Sequence, residues 1–132
     1  MNRVGIDTCV VLRLLVGEPP QQAQAAKSFV DECYFDGVEA CVSDLVVAEV
    51  YHALIHHYEV PRKEVISVLT DFLTASQIST TGHALAVLKA YEEKGPGFVD
   101  RLIRMDFLDD APEIKTFDQD FAKLDNVTLL NV

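Results

Sequence analysis

Val4-Gly5-Ile6-Asp7-Thr8-Cys9-Val10-Val11-Leu12 is the stretch whose reading decides the fold. The apolar run ending at Ile6 reads as a buried strand over Arg3 to Ile6. Asp7 stands at its exit, and Thr8 opens a helix to Val16, closed by Gly17 and the Pro19-Pro20 pair. A carboxylate between two core elements is costly unless something pairs with it. The same arrangement returns near the other end. Glu113-Ile114-Lys115-Thr116-Phe117 reads as a strand, followed by Asp118 and a short helix to Leu124. Two acids at strand exits, far apart in the chain, are what a divalent-metal site in an α/β sheet requires.

Between these ends the pattern alternates. Gln21 to Tyr34 has helical periodicity, and Val38 to Val42 reads as a strand. Ser43 suits the N-cap of a helix to about Tyr58, and Pro61 suits the first turn of the next. Gln77 to Thr80 is a short strand candidate. His83 to Lys94 reads as a helix stopped by Gly95-Pro96-Gly97, Phe98 to Leu108 as another, and Val127 to Val132 as a last strand. Strands alternating with helices predict a mostly parallel sheet with helices on both faces. Ligands bind such sheets outside the carboxyl ends of the strands, where Asp7 and Asp118 fall.

The chain has 132 residues, 49% of them hydrophobic, enough for one domain with a core over residues 1–132. It carries 11 Lys+Arg against 21 Asp+Glu, a net charge of −10. That balance argues against a general nucleic-acid coat and favours a basic protein partner. Any nucleic acid must be held by a local basic patch or through a metal. Cys9, Cys33 and Cys41 form no CxxC pair and are expected to be reduced thiols filling core space. No signal peptide or membrane span is expected, so the protein is expected to be cytoplasmic.

The acids have bland readings as well as functional ones. Asp7 could simply cap its helix, and Asp118 could form an Asx turn. Glu49 lies in Leu45-Val46-Val47-Ala48-Glu49-Val50-Tyr51, within a helix apolar on most sides, with no Lys or Arg at helical spacing. It is expected to be buried among Leu45, Val46 and Ala53, as an unpaired carboxylate with a functional role. Asp100 could form an i,i+4 ion pair with Arg104 or belong to a site. Glu49, His52 and His56 share helical spacing, but no second Glu-x-x-His exists. These two histidines and His57 read more simply as surface or partly buried residues, and His83 as uninformative. Asp106, Asp109 and Asp110 read as a solvated helix end.

Taken in order, four pieces resemble the motifs of PIN-domain nucleases. They are Gly5-Ile6-Asp7-Thr8-Cys9-Val10-Val11-Leu12, Ser43-Asp44-Leu45-Val46-Val47-Ala48-Glu49, Gly97-Phe98-Val99-Asp100, and Thr116-Phe117-Asp118-Gln119-Asp120-Phe121 with Val127-Thr128-Leu129-Leu130. The length is most similar to the VapC-type toxins of toxin–antitoxin pairs. The resemblance implies a three-layer α/β/α domain with a mostly parallel central sheet of four to five strands. It implies that Asp7, Glu49, Asp100 and Asp118 form the catalytic and metal-binding set, with Thr116 supporting it and Asp120 adding charge nearby. It further implies Mg²⁺- or Mn²⁺-dependent endoribonuclease activity in a homodimer held by a small antitoxin. Four clustered carboxylates need a cation to stay ionised, and oxygen-only donors favour Mg²⁺ or Mn²⁺ over Zn²⁺. Arg62, Lys63, Arg101, Arg104 and Lys115 are the expected RNA backbone contacts. Two departures stand out: Cys9 replaces the usual Asn, and Arg101 and Arg104 occupy positions more often small or apolar. The other readings are a non-catalytic interaction module of the same fold, and a housekeeping RNA-processing nuclease without an antitoxin.

Overall fold

A computed structural model describes residues 2–132. The chain divides into two compact units, residues 1–81 and residues 82–132. The first unit runs β1 (Arg3–Gly5), α1 (Thr8–Val16), α2 (Pro20–Phe35), β2 (Glu39–Val42), α3 (Asp44–His56), α4 (Arg62–Thr74) and β3 (Ile78–Thr80). Its three strands form a parallel sheet in the order β1-β2-β3, with Gly5 opposite Cys41 and Cys41 opposite Ser79. The second unit runs α5 (Ala84–Lys89), α6 (Phe98–Leu108), β4 (Ile114–Thr116), a 3-10 turn at Phe121–Lys123 and β5 (Val127–Leu129). β4 and β5 pair in parallel, with Ile114 opposite Val127. The fold is α/β, and its five strands, all parallel, fall into sheets of three and two.

Local chemistry explains the boundaries that position the acids. Asp7 has extended backbone angles, and its Oδ1 accepts from the Val10 amide at 3.2 Å, so α1 starts at Thr8. Gly17 ends α1 in the left-handed region at φ 80°, its amide donating to the Arg13 carbonyl at 3.0 Å. Ser43 caps α3 through its Oγ, which accepts from the Val46 amide at 3.3 Å. The β1–α1 and β2–α3 junctions thus lie side by side at the carboxyl edge of the three-stranded sheet.

The core of the first unit is aliphatic: Val11, Val42, Val47, Val50, Val65 and Leu69 are nearly or wholly enclosed. In the second unit Phe98 is fully enclosed, and Ile114, Phe121 and Val127 form a cluster with Leu108 and Leu124 against it. No helix is long and apolar enough to cross a membrane.

Two helices differ from expectation. The expected helix from His83 to Lys94 ends at Lys89. Beyond it the Arg101 guanidinium donates to the Lys94 and Pro96 carbonyls, at 2.9 and 2.8 Å, and draws those residues into a loop. Gly95 sits in that loop at φ 86°, close under the same guanidinium. The expected helix from Asp118 to Leu124 is reduced to the 3-10 turn, because the Asp118 carboxylate takes the Asp120 and Phe121 amides at 2.9 and 3.2 Å.

Candidate functional site

In the first unit Asp7 is exposed at the exit of β1. Its capping bond engages Oδ1, so the bland reading is observed, and Oδ2 is left for another partner. Thr8 Oγ1 donates to Glu49 Oε1 at 3.0 Å, tying the first turn of α1 to the second turn of α3. The hydroxyl of Thr8, the residue after Asp7, thus orients the Glu49 carboxylate.

The expectation that Glu49 is buried and unpaired is corrected. α3 buries Val47, Val50, Tyr51 and Leu54, a stripe at i, i+3, i+4 and i+7. Glu49 points off that stripe and is exposed, and Leu45 is 73% exposed. No polar or charged residue is buried among the described residues. Cys9 is also exposed, against the expectation that all three thiols fill the core; Cys33 and Cys41 are buried, and all three are free.

In the second unit Asp100 lies in the first turn of α6, half-buried. Burial raises its carboxyl pKa above the ordinary aspartate value, and the negative charges of Asp118 and Asp120 raise it further. Of the two readings of Asp100, the i,i+4 ion pair with Arg104 is not formed. Arg104 donates instead to the Asp125 carbonyl at 2.6 Å and to Asn126 Oδ1 at 3.2 Å. Asp118 is held on both sides: Thr116 Oγ1 accepts from its amide at 2.9 Å, while its own Oδ1 makes the turn described above. Asp120 pairs with Lys123 at 2.8 Å. Thr116 therefore fixes the backbone that carries Asp118, and Asp118, Asp120 and Asp100 share one negative field.

The raised pKa has a thermodynamic sign. Between the unfolded and folded values the native state holds more protons, so this group's contribution falls as pH rises through the folded pKa. Asp100→Asn is accordingly expected to raise the melting temperature of the metal-free protein at neutral pH. The gain should vanish once pH drops below the ordinary carboxylate range. Thermal melts of both proteins across pH 3 to 8 check it, and a variant less stable than wild type at neutral pH would contradict it.

The basic candidates divide by what they touch. Arg62 and Lys63 are exposed in the first turn of α4. Arg101 lies over the Tyr91 ring at 5.6 Å and, like Arg104, is bonded to carbonyls. Lys115 is engaged by Glu113 at 2.5 Å and Thr128 at 2.9 Å across β4 and β5. The histidine alternative gains nothing: His52 and His56 are exposed and stacked, ring centroids 5.8 Å apart. Among the described residues no group of three or more His, Cys, Asp or Glu side chains is arranged to hold a metal ion.

Sequence reading missed two contacts. One is the Thr8 hydroxyl, whose signal was a hydroxyl residue directly after Asp7. The other is His83, whose Nε2 lies 2.7 Å from Asp109 Oδ2, so that Asp109 is not merely a solvated helix end. Nothing in the local sequence marks that pair, because His83 precedes α5 and Asp109 follows α6, 26 positions apart.

The donor chemistry in both units is carboxylate oxygen supported by threonine hydroxyls. That set fits a hard divalent cation such as Mg²⁺ or Mn²⁺ and offers no thiolate or imidazole to a softer one. The raised pKa of Asp100 comes first from burial and then from the charges of Asp118 and Asp120, and a cation would relieve that second, repulsive part. Residues 4–127 match the family model of the PIN domain. No curated protein matches the chain.

Proposed function

This chain belongs to the PIN-domain family, a nuclease-type fold generally found in metal-dependent ribonucleases, and from that premise we propose that it is a divalent-metal-dependent endoribonuclease acting as the toxin of a toxin–antitoxin pair. Asp7, Glu49, Asp100 and Asp118 are the proposed metal-binding and catalytic carboxylates, within a single domain over residues 1–132. The observation that carries this reading is the acid after β1 and after β4, Asp7 and Asp118, each with one carboxylate oxygen fixed by backbone amides, beside the Thr8-bonded Glu49 on α3.

A bound Mg²⁺ or Mn²⁺ supplies Lewis-acid polarisation of the scissile phosphate and a more acidic water. The chain's own groups do the positioning. Thr8 holds Glu49 in one rotamer by donating to Oε1, leaving Oε2 to accept. The Asp120 and Phe121 amides hold Asp118 Oδ1, leaving Oδ2 to accept, while Thr116 Oγ1 accepts from the Asp118 backbone amide and fixes the main chain there. Asp100 keeps its carboxyl in a half-buried, negatively charged place where a proton or a cation is favoured over neither. Asp120 adds charge to that field. Arg62 and Lys63 are the exposed cations best suited to contact the RNA backbone.

The finer parts of the proposal rest on the surface. Phe35 is 90% exposed and Leu45 73%, apolar area that a second copy of the chain or a small antitoxin would cover. The net charge of −10 favours a basic antitoxin. Free cysteines, two of them buried, support a reducing cytoplasm.

Purified protein is expected to cut RNA with Mg²⁺ or Mn²⁺ and to stop when EDTA is added. Mn²⁺ should also raise the melting temperature, because it binds the folded state. Cleavage unaffected by EDTA contradicts the metal dependence. Absence of both cleavage and any Mn²⁺-induced thermal shift would favour a non-catalytic interaction module instead.

A further inference from the structure

The second unit contains a cavity of about 290 Å³, near the lower bound of roughly 300 Å³ for small-molecule sites. Ala86 and Ala90, Met105 on α6 and Leu124 give it mostly apolar walls, and Arg101 and Arg104 stand beside them. In a chain with a large acidic excess, two arginines at one cavity need a reason.

Among the described residues neither arginine is paired with a carboxylate. Arg101 donates Nε to the Pro96 carbonyl and Nη2 to the Lys94 carbonyl. Arg104 donates Nε to the Asp125 carbonyl and Nη2 to Asn126 Oδ1. These acceptors are uncharged. They fix each guanidinium in place while leaving its positive charge to an incoming anion, with Nη1 of Arg101 and the second N–H of Arg104 Nη1, whose other contact is Met105 Sδ at 3.7 Å, as donors. Holding the side chains beforehand also removes much of the entropy that binding would otherwise cost. Asp100, proposed above as a catalytic carboxylate, does not line the cavity but precedes Arg101 directly and lies one helical turn before Arg104 on the same helix.

We propose that this cavity is a nucleotide subsite: the base lies in the apolar pocket against Met105 and Leu124, and its phosphate is held by Arg101 and Arg104. The inference rests on the reading that the substrate is RNA, and it adds which nucleotide contacts position the strand. Size and chemistry favour that occupant. The small alanine side chains leave room for a flat ring, methionine sulfur makes favourable contacts with aromatic rings, and the charge at the rim suits a phosphate monoanion or dianion. A purely apolar ligand would leave the two fixed charges without a partner.

The test is titration of the full-length protein with 5′-AMP in EDTA, followed by NMR or calorimetry, with inorganic phosphate as a second probe. Saturable AMP binding is expected. Arg104→Gln should weaken it about tenfold, the scale of one charge-assisted hydrogen bond. Ala90→Leu fills the pocket without touching either arginine's carbonyl contacts, and should weaken AMP about tenfold while leaving phosphate binding unchanged. Each variant's melting curve is recorded beside its titration. AMP that does not bind, or that binds Ala90→Leu as well as wild type, overturns the proposal. Phosphate binding alone, equal in strength to AMP, also overturns it, since the pocket then recognises no base. RNA cleavage by a wild-type protein that ignores AMP sinks the subsite only. AMP binding by a protein that never cleaves sinks the nuclease reading only.

Discussion

Asp7→Asn is expected to lower RNA cleavage by roughly a hundredfold or more, the scale seen when one electrostatic contact to a developing charge is removed. The substitution separates the two jobs of Asp7. Its Oδ1 caps α1 by accepting from the Val10 amide. Asparagine caps a helix about as well as aspartate, so the amide oxygen can keep that bond. What disappears is the negative charge offered to a cation. The melting temperature in EDTA should therefore stay close to wild type while cleavage collapses. Asp7→Ala loses the cap as well, at a cost of about 1 kcal/mol, and should lower stability and activity together. Cleavage by Asp7→Asn at the wild-type rate would show that the carboxylate is only a cap.

Phe98→Ala is expected to give the largest loss of stability, about 3–5 kcal/mol. Phe98 is the largest fully enclosed side chain and begins α6, two residues before Asp100. Replacing its ring by a methyl group leaves a cavity that the surrounding structure closes only in part. Small domains are stable by about 5–15 kcal/mol, so the loss takes a large share of the total. Urea denaturation of wild type and variant measures it. A change below about 1 kcal/mol would mean that the site collapses around the gap, contrary to the packing described. This variant and Asp7→Asn bracket the account, one losing activity through the fold and the other through charge alone.

Much of the architecture was legible because local chemistry and hydrophobic pattern agree. The α1 boundaries follow from Asp7 at one end and Gly17 at the other, and both observed ends coincide with them. The α6 boundaries likewise follow from Gly97 and the change to Asp109-Asp110. The parallel pairing was foreseeable from helices lying between strands. Three things were not. Burial on α3 depends on which stripe of an almost wholly apolar helix faces the sheet, and composition cannot choose between adjacent stripes. Glu49 was consequently expected inside and is found outside, bonded to Thr8. The α5 helix was overextended because the contact that ends it comes from Arg101, in the next helix. Helical spacing left Asp100 either paired with Arg104 or part of a site, and could not show that the Arg104 guanidinium reaches the Asp125 carbonyl, far along the chain. Periodicity locates elements well. It does not reveal long side chains that bond outside their own helix.

The legible part of the site is its chemical type. Asp7 and Asp118 were singled out by their positions after apolar strands, and both sit at such exits. The supporting groups were partly legible. Thr116 follows from the motif around Asp118, whereas Thr8 supports Glu49 through a contact spanning forty-one residues.

The proposal turns on whether Asp7, Glu49, Asp100 and Asp118 are metal-binding carboxylates. Anomalous scattering from crystals soaked in Mn²⁺ tests it most directly. Manganese is expected within direct or single-water reach of the carboxylates of Asp7, Glu49, Asp100 and Asp118, and is expected to be lost from position 7 in Asp7→Asn crystals soaked alike. Manganese bound elsewhere, with these four side chains left uncoordinated, would contradict it.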